Sequence, residues 1–351
     1  MFARRILIII EAEFLGNKGN RFILSILVTG ATGFTGNNLT KYLLENGEQV
    51  RVIVRNRSKL GDLLNEPNLE VIEGNIYDKE VIEKAIKNIS IVYHVAAIYR
   101  TSGISDKVYW DTHVKATNLL MEASLKEGVK KFIHTSTVGV HGDVGNGKPV
   151  DETAEFNPGD IYQETKLEAE INVKKFHAER GLPIVVIRPT AIYGPGDLRL
   201  LKLFKIASHH ISFILGDGKI KYHMVFIDDL IQGYLLAAKV DNAVGKTFII
   251  GGAEILSLNE LLDIIGVAIG KVTRKFYLPV KPFQILGLVM EKIFIPIGIS
   301  PPIYRRRVDF FTKSRAFNIS QAQNVLGYNP KYGLEDGIRK TAEWYKQKGH
   351  L

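Results

Sequence analysis

The chain has 351 residues, no cysteine and a formal net charge of +9, with 46% hydrophobic and 24% charged residues. Such a composition belongs to an ordinary globular chain; it excludes disulfides, thiolate catalysis and cysteine-held metal, and it fits a reducing compartment, so a cytoplasmic protein without a metal is expected. The basic residues are spread along the chain apart from "YRRRVDFFTKSR" (304–315), which points to anionic small molecules as partners rather than nucleic acid.

The first residues, "MFARRILIIIEAEFLGNKGNRF", imitate a signal peptide, but Glu11 and Glu13 interrupt a short apolar run and no small-residue cleavage site follows. Residues 1–21 are therefore read as an N-terminal extension. "FILSILVTG" (22–30) is a β-rich strand, and "FTGNNLTKYLLENG" (34–47) has apolar residues at helical spacing up to a terminal Gly47. Strands follow at 48–56, 69–76, 90–97, 130–140 and 182–190, with helices over 79–88, near 108–127 and over 160–181. Alternation of helices with continuous Val/Ile strands predicts an α/β fold, a doubly wound parallel Rossmann sheet covered on both faces.

After residue 190 the alternation weakens. "HMVFIDDLIQGYLLAA" (223–238) and "GKTFIIGG" (245–252) read as a helix and a strand returning to the sheet, and "SLNELLDIIGVAIGK" (257–271) opens with a capping box. The expected division is a Rossmann domain at 22–190 with 223–252 returning to it. Residues 191–222 and 253–351 would then form a smaller mixed α/β substrate-binding domain over the carboxyl edge of the strands.

"VTGATGFTG" sets Gly30, Gly33 and Gly36 between the first strand and the first helix, with Thr32 and Phe34 in the same turn. Gly30 permits the tight turn, Gly33 admits a pyrophosphate to the backbone, and Gly36 lets the helix pack closely. The helix N-terminus then offers N–H groups to the phosphates. At the end of the second strand an acid would read a ribose 2′-hydroxyl; "VIVRNRSK" has Arg55 and Arg57 there instead. A guanidinium suits a 2′-phosphate, so NADP is expected, with NAD the alternative.

Eight ordered motifs, "TGATGFTG", "EGNIYD" (73–78), "HVAA" (94–97), "HTSTVGVHG" (134–142), "YQETK" (162–166), "RPTAIYGPGD" (188–197), "VFIDDL" (225–230) and "VLGYNP" (325–330), resemble the extended short-chain dehydrogenase/reductase family, also called the NAD-dependent epimerase/dehydratase family. The likeness runs from about residue 23 to the C-terminus. A Tyr-x-x-x-Lys spacing is cheap on its own; the resemblance gives it a role. It implies Thr137 as the catalytic hydroxyl (Ser136 the weaker choice), Tyr162 as proton donor or acceptor, and Lys166 one helical turn on, favouring tyrosinate and holding the nicotinamide ribose. It further implies Asn75 and Ile76 near the adenine, Ala96 and Ala97 along the cofactor's path, and Pro189 and Thr190 against the nicotinamide. His113 stands where the family usually has Asn, and a helix-face histidine and a proton relay are equally weighted there.

Three chemistries compete: an oxidoreductase with net hydride transfer, an epimerase or dehydratase recycling a tightly held NAD, and a non-enzymatic scaffold. Val138 and Gly139 replace the Asp-Glu of sugar-nucleotide dehydratases, and Ala191 the Asn of UDP-sugar epimerases; the intact Thr137, Tyr162 and Lys166 oppose a scaffold. The chain looks closest to the branch of 3β-hydroxysteroid dehydrogenase-like and dihydroflavonol reductase-like enzymes, which implies a secondary alcohol/ketone pair on a small-molecule substrate. A nucleotide-sugar epimerase, with Arg305 to Arg307 on the diphosphate, is the alternative. The apolar stretch 280–307 is either helix core, or a lid or weak membrane-surface contact that implies a sterol-like, lipid or polycyclic substrate. A homodimer is the expected assembly.

Overall fold

The fold is given by a computed structural model that describes residues 25–101, 103–272, 274–294, 308 and 311–351. The expectations for residues 1–21 and for Arg305 to Arg307 lie outside the described residues.

The chain begins β1 (Ser25–Thr29), α1 (Phe34–Glu45), β2 (Gln49–Val54), β3 (Leu69–Glu73), α2 (Lys79–Ala85) and β4 (Ile89–His94). It continues through α3 (Asp106–Trp110), a π turn (Asp111–Lys115), α4 (Ala116–Lys126), β5 (Lys131–Thr135), α5 (Ile161–Arg180) and β6 (Ile184–Pro189). Then come β7 (Ala191–Tyr193), α6 (Leu201–Ser208), β8 (Ile211–Leu215), β9 (Lys221–Phe226), α7 (Ile227–Lys239) and β10 (Thr247–Ile250). The last are β11 (Ile255–Ser257), α8 (Leu258–Ile269), β12 (Arg274–Leu278), α9 (Val280–Phe294) and α10 (Leu334–Gln347).

Seven strands make one parallel sheet in the order β10-β6-β5-β4-β1-β2-β3. This is the doubly wound Rossmann arrangement, and the reason is visible in the strands. All six residues of β6 and all five of β5 are buried, so these strands cannot face water on either side and must be covered by helices. α1 meets the sheet with a stripe of Gly36, Leu39, Thr40, Leu43 and Leu44, the spacing of one helix face. β1 has β2 on one side and β4 on the other, so the chain reverses its direction of travel there. That switch point opens a crevice at the carboxyl ends of β1 and β4, the usual ligand position in such sheets.

β7, β9 and β11 form a second sheet, and β8 pairs with β12 in a third. The helix read from residue 223 starts at Ile227 instead. Residues Lys221–Phe226 are strand β9, buried almost throughout, because β7 and β11 flank both its edges. The capping box at Ser257 and Glu260 forms as its sequence indicates, with the Ser257 Oγ accepting from the Glu260 N–H at 3.2 Å.

Candidate active site

The parallel sheet brings the strand-end residues singled out in the sequence to one edge, and α5 carries Tyr162 and Lys166. The glycine turn follows β1, Arg55 follows β2, Asn75 and Ile76 follow β3, Ala96 and Ala97 follow β4, Thr137 follows β5, and Pro189 and Thr190 end β6.

The turn after β1 is built by contacts that leave no room for side chains. Gly30 has φ +79°, and a Cβ on it would lie 2.8 Å from the Ala96 Cα, so the ends of β1 and β4 meet at this glycine. A Cβ on Gly36 would strike the Gly30 carbonyl oxygen. Gly33 starts α1 without a side-chain cap, and no acid stands in the first turn. Its exposed position and the bare helix N-terminus fit an anionic pyrophosphate. Gly36→Ala is expected to abolish coenzyme binding, measured by titration of coenzyme fluorescence, and to lower the melting temperature. Unchanged binding would show that the turn can shift without loss.

Arg55 and Arg57 are exposed beyond β2, and neither forms an ion pair among the described residues. Asn75 is exposed and Ile76 half-buried. The Thr190 hydroxyl is buried with no hydrogen-bond partner, as is that of Ser136. Orphaned buried hydroxyls are uncommon; that of Thr190 stands just after β6.

Asp160 starts α5: its Oδ1 accepts from the Gln163 N–H at 3.0 Å, and two residues on stands Tyr162. Burial pushes the Tyr162 phenol up to about 12, with Tyr99 adding to the rise, while Arg100, a hydrogen bond with the Thr137 hydroxyl and Arg199 pull it down. The hydroxyl beside the phenol is thus Thr137; its Oγ1 also accepts from the Gly139 N–H at 3.0 Å. Lys166 is 3% exposed and donates a short hydrogen bond to the Thr135 carbonyl. Burial lowers it to about 8, opposed by Glu170, a poise suited to proton traffic near neutral pH. Arg188 holds Glu170 through two bonds, Nε–Oε2 at 3.0 Å and Nη2–Oε1 at 2.6 Å. The pair ties β6 to α5, and so Pro189 to Lys166.

His113 is buried, and both of its ring nitrogens are engaged. Nε2 accepts from the Ile98 N–H at 3.0 Å, which leaves Nδ1–H to donate to Thr165 Oγ1 at 2.8 Å. Burial and then Lys166 drive its pKa to about 2. It is a neutral prop whose ring meets Tyr162 edge-on at 5.6 Å, not a free relay.

Sequence reasoning missed two cations near the Tyr162 phenol, Arg100 and Arg199. The Arg100 guanidinium lies 5.4 Å from the Tyr99 ring centre and 5.6 Å from that of Tyr162, and its Nε donates to Asp160 Oδ2 at 2.7 Å. Arg199 bonds Asp197 Oδ1 at 2.6 Å and lies 5.6 Å from the Phe34 ring centre and 5.5 Å from that of Tyr99. "AAIYR", directly after β4, was the available signal for Arg100, and "PGDLR" for Arg199.

Residues 26–251 match the NAD dependent epimerase/dehydratase family. The chain is 28% identical over 337 residues to a 3-beta-hydroxysteroid dehydrogenase of Mycolicibacterium neoaurum, covering 91% of each protein. It is also 28% identical over 334 residues to a UDP-glucose 4-epimerase of Vibrio cholerae, covering 92% of this chain and 96% of that one. A solved UDP-glucuronic acid 4-epimerase from Bacillus cereus, in complex with NAD, superimposes with a TM-score of 0.74 at 26% identity, over 92% of this chain and 97% of the other. The family match spans well over half of the chain, and its range holds the glycine turn, Thr137, Tyr162 and Lys166. The chain therefore belongs to the NAD dependent epimerase/dehydratase family and is an NAD(P)-dependent enzyme of the extended short-chain dehydrogenase/reductase type.

Proposed function

We propose that the protein is an oxidoreductase that interconverts a secondary alcohol and a ketone on an apolar substrate, with NADPH as its preferred coenzyme. The observation that carries this reading is the Tyr162 phenol near the Thr137 hydroxyl, with a buried Lys166 one helical turn on, at the edge where the glycine turn ends β1. The turn from Gly30 to Gly36 and the start of α1 would hold the pyrophosphate, Arg55 a 2′-phosphate, Asn75 and Ile76 the adenine, and Pro189 with Thr190 the nicotinamide. Ala96 and Ala97 leave the path between them open. When bound, the coenzyme gives or takes the hydride. Thr137 orients the substrate oxygen, and Tyr162 gives that oxygen its proton in reduction or removes it in oxidation. The charges of Arg100 and Arg199 favour the tyrosinate left behind.

Coenzyme choice rests on Arg55. A charge-assisted phosphate contact contributes roughly 1.5–3 kcal/mol, so the wild type is expected to bind NADPH at least tenfold more tightly than NADH. Arg55→Asp should erase that preference in a binding titration. Equal affinities in the wild type would remove Arg55 as the reader.

The likeness to a hydroxysteroid dehydrogenase and the apolar α9 support an apolar carbonyl compound as substrate; the comparable likeness to a UDP-glucose epimerase keeps the second reading in view. A screen of purified protein with ketosteroids, polycyclic ketones and UDP-sugars separates them. Consumption of NADPH with the apolar ketones is the expected result. Conversion of a UDP-sugar with no net change in NADPH absorbance would replace the oxidoreductase by an epimerase.

A further inference from the structure

α9 and the β8–β12 sheet that precedes it in the chain reverse the usual rule for a solvated surface. In β8 the side chains that turn inward are Ser212 and Ile214, and those that turn outward are Ile211 and Phe213. Phe213 sits in register with Phe276 of β12, and the two exposed rings meet edge-on at 6.1 Å. Phe213 is 59% and Phe276 60% exposed. α9 follows β12 after one residue, Pro279. It is a 15-residue helix whose only fully buried described residue is Gly287, while Ile285, Leu288, Val289 and Ile293 all stand exposed, Ile285 at 62%. A helix so apolar is normally packed away, and an exposed apolar area of this kind marks an interaction surface.

The charge on the same stretch says what the surface meets. Residues 271–294 contain five basic side chains, Lys271, Arg274, Lys275, Lys281 and Lys292, against one acid, Glu291, a net +4. Lys275 is paired with Asp263 at 2.6 Å; Lys281 and Lys292 are exposed. Large apolar side chains interleaved with lysines are the composition of an element that lies in a membrane interface. A second copy of the chain would bring like charge against like charge, whereas anionic headgroups would neutralise it. At 15 residues the helix is about 22 Å long, short of the ~30 Å hydrocarbon core, and no helix among the described residues is long and apolar enough to cross a membrane.

We propose that α9 and the outer face of the β8–β12 sheet dock the protein onto an anionic lipid surface, with the apolar side chains in the interface and the lysines at the headgroups. This docking is independent of which substrate the enzyme takes, and its test does not use turnover. The full chain is spun with vesicles of phosphatidylcholine alone and of phosphatidylcholine with phosphatidylglycerol, at about 0.1 M and about 1 M salt, which shortens the screening length from ~10 Å to ~3 Å. Binding at least tenfold stronger to the anionic vesicles, and weaker at high salt, is expected. The triple variant Ile285→Gln, Val289→Gln, Ile293→Gln and the double variant Lys281→Glu, Lys292→Glu should each lose at least tenfold of that binding while still binding coenzyme. If the triple variant fails to fold, the lysine pair, which lies on the surface, decides. The proposal is overturned if the wild type stays in the supernatant with anionic vesicles or if the variants sediment like the wild type. It is equally overturned if the triple variant turns a dimer into a monomer in light scattering without changing vesicle binding.

Discussion

Tyr162→Phe is expected to lower turnover by about a hundredfold or more, the ordinary contribution of a positioned acid or base, equivalent to about 2.7 kcal/mol of barrier. The substitution removes one hydroxyl and keeps the ring, so the edge-on contacts with Tyr99 at 5.1 Å and His113 at 5.6 Å survive. Coenzyme affinity should therefore stay within a few-fold of the wild type. Thr137 loses its phenol neighbour but keeps its bond from the Gly139 N–H, so the loop after β5 has no reason to move. The loss should fall on kcat more than on KM, because the proton moves only in the chemical step. Measured kcat within about threefold of the wild type, with apolar ketones and at saturating coenzyme, would remove Tyr162 from the reaction and leave its contacts with Arg100 and Thr137 as packing.

The parts of the molecule legible in the sequence are those that local chemistry dictates. Gly30 was readable because only glycine suits φ +79° against the Ala96 backbone, and the Rossmann sheet because strands buried on both faces must be continuously apolar. The Tyr-Lys pair needed its context. Tyr277 and Lys281 have the same spacing, yet they straddle the end of β12 and the start of α9, and Tyr277 donates to Asn259 Oδ1. What stayed hidden depends on partners distant in sequence. Arg100 matters through Asp160, 60 residues on, and no periodicity announces such a pairing. β9 read as helix because "MVFIDDLIQGYLLAA" is apolar at either period until β7 and β11 are known to flank it. His113 was evenly poised between two roles because its partners, the Ile98 amide and Thr165, come from other segments.

The second large effect is acid lability. His94, His113 and His134 are at most 2% exposed. The Thr29 Oγ1 already accepts from the Val95 and Ala96 N–H groups, both at 3.1 Å, so its own proton goes to His94 Nδ1 at 2.9 Å. His94 Nε2–H then donates to Thr117 Oγ1 at 2.8 Å, and the ring is neutral. Burial and then Lys166 lower His94 to about 3 and His113 to about 2, and carry His134 well down as well. A histidine whose folded pKa lies below its unfolded value stabilises the fold fully above about pH 6.5, and that contribution drains away as the pH falls toward the folded pKa. Each such ring costs the fold about 1.4 kcal/mol per pH unit below 6.5. Three together remove about 6 kcal/mol between pH 7 and pH 5, a large share of the ~5–15 kcal/mol of an ordinary domain. Glu48, Glu152 and Asp229, held above the usual carboxylate range chiefly by burial, return part of this at the acid end. Urea unfolding at pH 7, 6 and 5 should show the midpoint falling steeply, with proton uptake on unfolding close to three near pH 5.5. His134 separates this account from general acid sensitivity, because neither of its ring nitrogens has a hydrogen-bond partner. His134→Leu gives up no hydrogen bond and removes one titrating ring, so it should match or exceed wild-type stability at pH 7 and cut the slope by about a third. A slope that His134→Leu leaves untouched would mean that this ring carries its proton in the folded state.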